Sequence, residues 1–337
     1  MRNSKETLIR PVGAPQSLSK PIVTPLSTAV AFASNTPDEL DAQYEGREQG
    51  FTYAREGHPN ASVLAERLDR LEGVQGGIVT SSGMSAVFAA LAGTLSAGDH
   101  VIGGDQLYGR SLRLMNEDLP RFGIETSLAD PTDAEAFAKA IKPNTKAVLI
   151  EVVSNPTLRV ADMEGIAQLC AERRIALMVD NTFTTPRPYK PFENGAAIVI
   201  HSVTKLLAGH SDVTLGYVAA KDAALQKKIY DFAVTTGMTA SPFDCWLAER
   251  GLATFDLRFE RAQSNALALA DHLATLKGVK RVLYPMRSDH PDHARAHALL
   301  GGQGCNMVSF EVEGGRPAAN ALARAAENAA RLFSPLL

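Results

Sequence analysis

The stretch IVIHSVTKLLAGHSDVTLG, residues 198–216, decides how the chain reads. It opens with three β-branched residues in a row, Ile198, Val199 and Ile200. A strand with one wet face alternates apolar and polar residues. An unbroken apolar run instead suits a strand covered on both faces, as in a parallel sheet between two helical layers. The run then turns polar and sets one lysine, Lys205, close behind the hydroxyls of Ser202 and Thr204 and ahead of a Gly-His-Ser-Asp sequence. In open parallel sheets, ligands bind just outside the carboxyl ends of the strands. A lysine there, among groups that suit an anion, marks a candidate site.

Upstream the same pattern repeats. GGIVTSS (76–82), HVIGG (100–104), IETSLAD (124–130), KAVLIEVV (146–153) and IALMVDN (175–181) read as short strands. Between them, ASVLAERLDRLEG (61–73), GMSAVFAALAGTL (83–95), SLRLMNEDLPRFG (111–123), DAEAFAKAI (133–141) and MEGIAQLCAERR (163–174) read as helices. In the first of these, Val63, Leu64, Leu68 and Leu71 share a face and Gly73 is a stop. This alternation predicts an α/β large domain over residues 61–255, built on a mostly parallel sheet flanked by helices. Residues 1–60 read as irregular, because Pro11, Pro15, Pro21 and Pro25 exclude a long helix; DELDAQYEGRE (38–48) suits one short helix. Residues 256–337 read as a smaller α+β C-terminal domain, with DLRFERAQSNALALADHLATL (256–276), KRVLYP (280–285), NMVSFEVEG (306–314) and a last helix at PAANALARAAENAARLF (317–333).

Composition narrows the function. The net charge is −3, with no basic block and no basic–aromatic interleaving, so nucleic-acid binding has little support. No apolar run approaches the ~18 residues of a membrane span, and MRNSKETLIRPVGAP lacks the apolar core of a signal peptide. Cys170, Cys245 and Cys305 are far apart with no CxxC, which argues for a reducing cytoplasm. No GxSxG nucleophile elbow or P-loop occurs. HPDHARAH (290–297) has superficial metal-ligand spacing, but a polar loop running into a helix is the better reading.

The polar residues just after the strands carry the chemistry. An amine becomes nucleophilic when an apolar pocket lowers its pKa, and Lys205 could then form a Schiff base with an aldehyde; its plainer reading is a surface lysine. Asp180 ends IALMVD, where a buried carboxylate must find a partner, such as a pyridinium N–H; it could equally cap the next segment. Ser82 and Gly83 stand at a strand-to-helix junction, where free N–H groups suit a phosphate, although a serine there is also a common N-cap. Tyr108, in DQLYGRS, could stack on a planar ring or be a core or rim residue. Taken together, the set suggests pyridoxal phosphate (PLP).

At these residues the chain resembles the Cys/Met-metabolism family of PLP enzymes, which includes cystathionine γ-synthase, cystathionine β- and γ-lyases, methionine γ-lyase and O-acylhomoserine sulfhydrylases. FTYAREGHPN, TSSGMSAVFAAL, DQLYGRS, EVVSNPTLRV, VDNTFTTP, IVIHSVTKLLAGHSD, RGLATFDLRFERAQSNA and VLYP match in the family's order, over nearly the whole chain. The resemblance implies an aspartate-aminotransferase-like (type I) fold. It implies that Lys205 holds the cofactor and shuttles the proton, that Asp180 pairs with the pyridinium nitrogen, and that Tyr108 stacks on the ring. Gly83 and Met84 would give backbone N–H groups to the phosphate beside Ser82, with hydroxyls from Ser202 and Thr204. Asn155 would lie near the cofactor hydroxyl and the substrate carboxylate. Tyr53 and Arg55 would reach the phosphate of a neighbouring subunit, making a homodimer or homotetramer with shared sites.

The implied activity is transsulfuration at Cβ or Cγ of a sulfur amino acid, of the cystathionine β-lyase or γ-synthase kind. The alternative is an O-acylhomoserine sulfhydrylase or methionine γ-lyase. Two departures stand out. His58 occupies a place where the family often shows Asn. The family also continues with a Ser-containing loop and a carboxylate-binding Arg that would lie beyond Leu337. The resemblance therefore implies an incomplete C-terminal domain, and with it the reading of an inactive, truncated oligomeric homologue.

Overall fold

The computed structural model describes residues 17–330. Pro11, Pro15, the MRNSKETLIRPVGAP stretch, the end of the last helix at 331–333 and the terminal SPLL lie outside them. A seven-stranded sheet forms the centre. Its strands are β1 (Ile78–Thr80), β2 (His100–Gly104), β3 (Glu125–Ala129), β4 (Thr145–Glu151), β5 (Ala176–Asp180), β6 (Ile198–Ser202) and β7 (Gly216–Ala220). They lie in the order β1-β7-β6-β5-β4-β2-β3.

The unbroken apolar runs have the expected cause. Within β4, Val148 and Ile150 join one buried cluster with Leu64, Phe137 and Ile166, while Leu149 joins the other with Ala86, Leu91 and Ile229. Successive side chains point to opposite faces of a strand, so a sheet covered on both sides needs apolar residues at every position. The Gly83–Thr94 helix lies on one face against the Ala223–Thr235 helix. The approach is close: a Cβ on Gly93 would meet the Ile229 backbone at 2.8 Å.

One strand was not read from the sequence. β7 runs antiparallel to both β6 and β1, whereas β2–β3, β2–β4, β4–β5 and β5–β6 are parallel. The reason is the connection: residues 203–215 form a loop carrying Lys205 rather than the crossover helix that a parallel neighbour requires. The reversal has a useful effect. Because β7 turns the chain over twice, β1 again ends at the same sheet edge as β2, β4, β5 and β6. The sheet order also reverses between β2 and β4, which makes a topological switch point at that edge.

The helices before residue 221 fall close to where expected, most with a side-chain cap at the start; the segment read as one helix over 111–123 has none and passes through a π-helical turn at Leu114–Asp118. Ser82 accepts from Ser85 N–H at 3.1 Å, and Asp162 accepts from Gly165 N–H at 3.2 Å. His58, the departure from the family pattern, caps the Pro59–Glu72 helix. Its Nδ1 accepts from Ala61 N–H at 3.2 Å while Nε2 meets the Ala240 carbonyl at 3.0 Å. A carbonyl accepts, so Nε2 carries the hydrogen and the ring is neutral; burial lowers its pKa in the same sense. Gly73 ends that helix in the left-handed region, as read.

After the sheet come the Pro242–Leu252 and Phe255–Ala274 helices, then a two-stranded antiparallel pair, β8 (Val279–Leu283) and β9 (Ser309–Val312). HPDHARAH does run into a helix, His293–Leu300. Among the described residues no His/Cys/Asp/Glu group could hold a metal ion, and no helix is long and apolar enough to cross a membrane. The C-terminal part is tied to the loop after β4 by a two-point ion pair, with Arg159 Nε 2.6 Å from Asp292 Oδ2 and Nη2 3.0 Å from Oδ1.

Candidate active site

The carboxyl edge of the sheet holds a cavity of about 270 Å³. Its lining includes Ser82, Gly83, Met84, Tyr108, Asn155, Asp180, Ser202, Thr204 and Lys205, which are nine of the eleven residues expected from the sequence. They come from five strand ends: β1 supplies the first three, β2 Tyr108, β4 Asn155, β5 Asp180 and β6 the last three.

Each position has a local cause. The Gly83–Thr94 helix begins at the cavity wall. Its first-turn N–H groups, Gly83 and Met84 among them, have no partner within the helix by the geometry of a helix start. Gly83 is needed because the helix start touches β6: a Cβ there would stand 2.6 Å from Ser202 Cβ and 3.0 Å from Ser202 Cα. Ser82 is an N-cap and also lines the cavity. Thr204 braces the Lys205 loop, its hydroxyl donating to Leu215 O at 3.1 Å and accepting from Leu215 N–H at 3.0 Å. Arg258 holds the other side of the same loop, donating to the carbonyls of Leu206 (2.5 Å), Leu207 (3.0 Å) and Gly251 (2.8 Å).

Asp180 is a cap and also lines the cavity. Its Oδ1 accepts from Thr182 N–H at 3.0 Å and from the Thr182 hydroxyl at 2.5 Å, a local turn cap, while its carboxyl faces the cavity. Burial raises its pKa, opposed by the Thr182 hydrogen bonds and by the field of His201. His201 is itself fully buried, with Nε2 2.5 Å from Glu72 Oε1. Burial lowers the pKa of Lys205, which enlarges its neutral, nucleophilic fraction. Tyr108 is part-exposed at the start of the Gly109–Arg113 helix, and its backbone N–H donates to Glu151 Oε1 at 2.6 Å.

Two expected residues are elsewhere. Tyr53 is exposed, and the Arg55 guanidinium lies 5.6 Å from its ring centroid. Arg55 donates to the Val234 carbonyl at 3.1 Å and lines a separate hollow of about 140 Å³. Neither lines the cavity of its own chain. Conversely, Val87, Ser111, Glu151, Val153, Thr182, Phe183 and Thr214 line the cavity without having been picked from the sequence. For Glu151 a signal existed: it closes the apolar run of KAVLIE as Asp180 closes that of IALMVD.

The cavity fits PLP on its own chemistry. One end offers backbone N–H groups and hydroxyls, as a phosphate needs. The floor holds a buried carboxylate, and the wall an amine of lowered pKa. Fold and site thus define a PLP-dependent α/β enzyme. The sequence profile described as "Cys/Met metabolism PLP-dependent enzyme" matches residues 7–334, and the chain belongs to that family. It is 39% identical over 292 residues to a cystathionine beta-lyase of Bacillus subtilis, covering 87% of this chain and 72% of that protein. It is similar to a solved cystathionine gamma synthase of Xanthomonas oryzae pv. oryzae in complex with aminoacrylate and cysteine, at TM-score 0.83 and 37% identity over 89% of this chain and 75% of the other. A Campylobacter jejuni structure described as an O-acetylhomoserine (thiol)-lyase matches at TM-score 0.85 and 27% identity, over 87% and 81% of the two chains; it carries an N'-pyridoxyl-lysine-5'-monophosphate. The protein is accordingly a PLP-dependent enzyme of sulfur amino-acid metabolism.

Proposed function

We propose that the chain is a carbon–sulfur lyase or γ-replacement transferase acting at Cβ or Cγ of cystathionine or a related amino acid. The observation that carries this reading is that Lys205 and Asp180 face one cavity whose far end is the Gly83–Thr94 helix start. Residues 61–255 form the cofactor-binding domain in this reading, and residues 256–337 the second domain. Bound PLP supplies an electron-withdrawing ring conjugated to the substrate's α-carbon. Gly83 and Met84 hold the phosphate through their N–H groups, with Ser82, Ser202 and Thr204 beside them. Asp180 keeps a proton on the ring nitrogen. Tyr108 covers the ring face, and Asn155 orients the cofactor hydroxyl and substrate carboxylate. Lys205 Nζ takes the proton from the α-carbon and delivers it where the leaving group departs.

β-Elimination from cystathionine releases pyruvate, whereas γ-elimination releases 2-oxobutyrate. We favour cystathionine as substrate because the B. subtilis relative is named for it. The full chain, reconstituted with PLP, is expected to release one of these oxoacids from cystathionine. Release from methionine alone, or sulfide consumption with an O-acylhomoserine, would instead mark the methionine γ-lyase or sulfhydrylase alternative. No release from any of them would mark an inactive homologue.

The placement of Arg55 and Tyr53 outside their own cavity supports a dimer in which they serve the neighbouring copy. Mixing Arg55→Ala with Lys205→Ala protomers is then expected to restore one intact site per hybrid dimer, about a quarter of wild-type activity by random pairing. Inactive mixtures would rule the shared site out.

A further inference from the structure

Glu151 takes no part in the chemistry assigned to Lys205 and Asp180, yet it is buried in the lining of the same cavity. It ends β4 and pairs in register with Asp180, which ends β5. Two carboxyl groups therefore stand side by side in the lining of one cavity, and two such neighbours do not readily both ionise. The surroundings decide which keeps the proton. Asp180 receives two hydrogen bonds from Thr182 and lies in the field of His201, all favouring its anion. Glu151 Oε1 accepts the Tyr108 N–H, but Oε2 makes no hydrogen bond of good geometry among the described residues. A lone buried oxygen is tolerable on a neutral acid and costly on an anion. Burial first, then the charge of Asp180, push the Glu151 carboxyl well above the usual range, opposed in part by the backbone N–H groups of Tyr108 and Asn155.

We propose that Glu151 is a positioning residue of the cofactor site. It is a neutral carboxylic acid that anchors Tyr108 through the backbone N–H and leaves Asp180 as the single negative charge among the cavity's carboxyl groups. This rests on the reading of the cavity as the PLP site with Tyr108 on the ring face. The titratable groups around Glu151 are Asp180 from β5, Lys205 from the loop after β6 and the Tyr108 phenol at the start of the Gly109–Arg113 helix; His201 acts by way of Asp180. A charged Glu151 would set a second anion beside Asp180 and make each of the two costlier to keep ionised. A neutral Glu151 does not.

Two near-isosteric variants of the full chain test this. Glu151→Gln keeps an acceptor for Tyr108 N–H and no charge. Glu151→Met keeps the bulk and loses the acceptor. PLP affinity, read by equilibrium dialysis, is expected to stay within about twofold in Glu151→Gln and to fall about tenfold in Glu151→Met. The visible circular dichroism of the bound cofactor should follow the same order, because it reports how the ring is held. The apoprotein gives a readout free of cofactor. A carboxyl raised in the folded state contributes stability below its unfolded pKa, and that stability is lost as pH rises through the folded value. The Tm of Glu151→Gln should therefore gain on that of the wild type as pH rises above the ordinary carboxylate range. Glu151→Gln binding as weakly as Glu151→Met, or a Tm difference that does not change with pH, would overturn the neutral acid. Glu151→Met binding like the wild type would overturn the anchoring; if Glu151→Met does not fold, the two Glu151→Gln measurements decide alone. Borohydride reduction of the wild type, run alongside, checks the parent reading separately: pyridoxyl trapped on Lys205 upholds it whatever Glu151 does.

Discussion

Replacing Lys205 by alanine is expected to lower turnover by at least ~10³-fold, the upper part of the range for losing a positioned proton-transfer group. It should also abolish pyridoxyl trapping by borohydride at residue 205. Two properties lead to this. Lys205 sits on the loop between β6 and β7, braced by Thr204 on one side and Arg258 on the other, so its place in the cavity is fixed. Burial also lowers its pKa, which enlarges the neutral fraction able to take up a proton. Mass spectrometry of the reduced, digested protein locates the label. A label on a different lysine, or an alanine variant that turns over substrate within tenfold of the wild type, would remove Lys205 from its role.

Asp180→Asn is expected to produce the second-largest loss. The substitution keeps the shape and Thr182 as a neighbour but removes the charge that would hold a proton on the ring nitrogen. Breaking a buried charge pair costs about 3 kcal/mol or more, which corresponds to a factor of roughly 10² in rate or affinity. The loss should appear in kcat and in the cofactor dissociation constant, because the carboxylate of Asp180 is the anion that faces the ring nitrogen in this reading. The expected signature is a visible absorption band whose pH dependence differs from that of the wild type. An unaltered band together with unaltered kcat would mean that some other group serves the ring nitrogen.

Much of the site could be read from order along the chain, for a physical reason. A parallel sheet collects the residues that follow its strands at one edge. Lys205 after AIVIHS, Asp180 after IALMV and Ser82 after GGIVTS could therefore be grouped before their distances were known. The helix caps were equally local: Ser82 and Gly73 act within a few residues of their own position. β7 escaped the same reading because GYVAA follows a loop rather than a helix, and nothing within it specifies direction. Glu151 carried the same strand-end signal as Asp180 and was passed over, because only the pairing of β4 with β5 sets the two carboxyl groups together.

The sequence alone determined most of the secondary structure, the layered sheet and the choice of candidate reactive groups, because apolar periodicity, capping and the lysine's surroundings are properties of neighbouring residues. Only the tertiary structure decided how those groups behave. It set Glu151 and Asp180 side by side on β4 and β5, placed the His201–Glu72 pair behind Asp180, and kept Tyr53 and Arg55 away from the cavity of their own chain. Protonation depends on burial and on the distance between charges, and for residues on different strands both are fixed only by the fold.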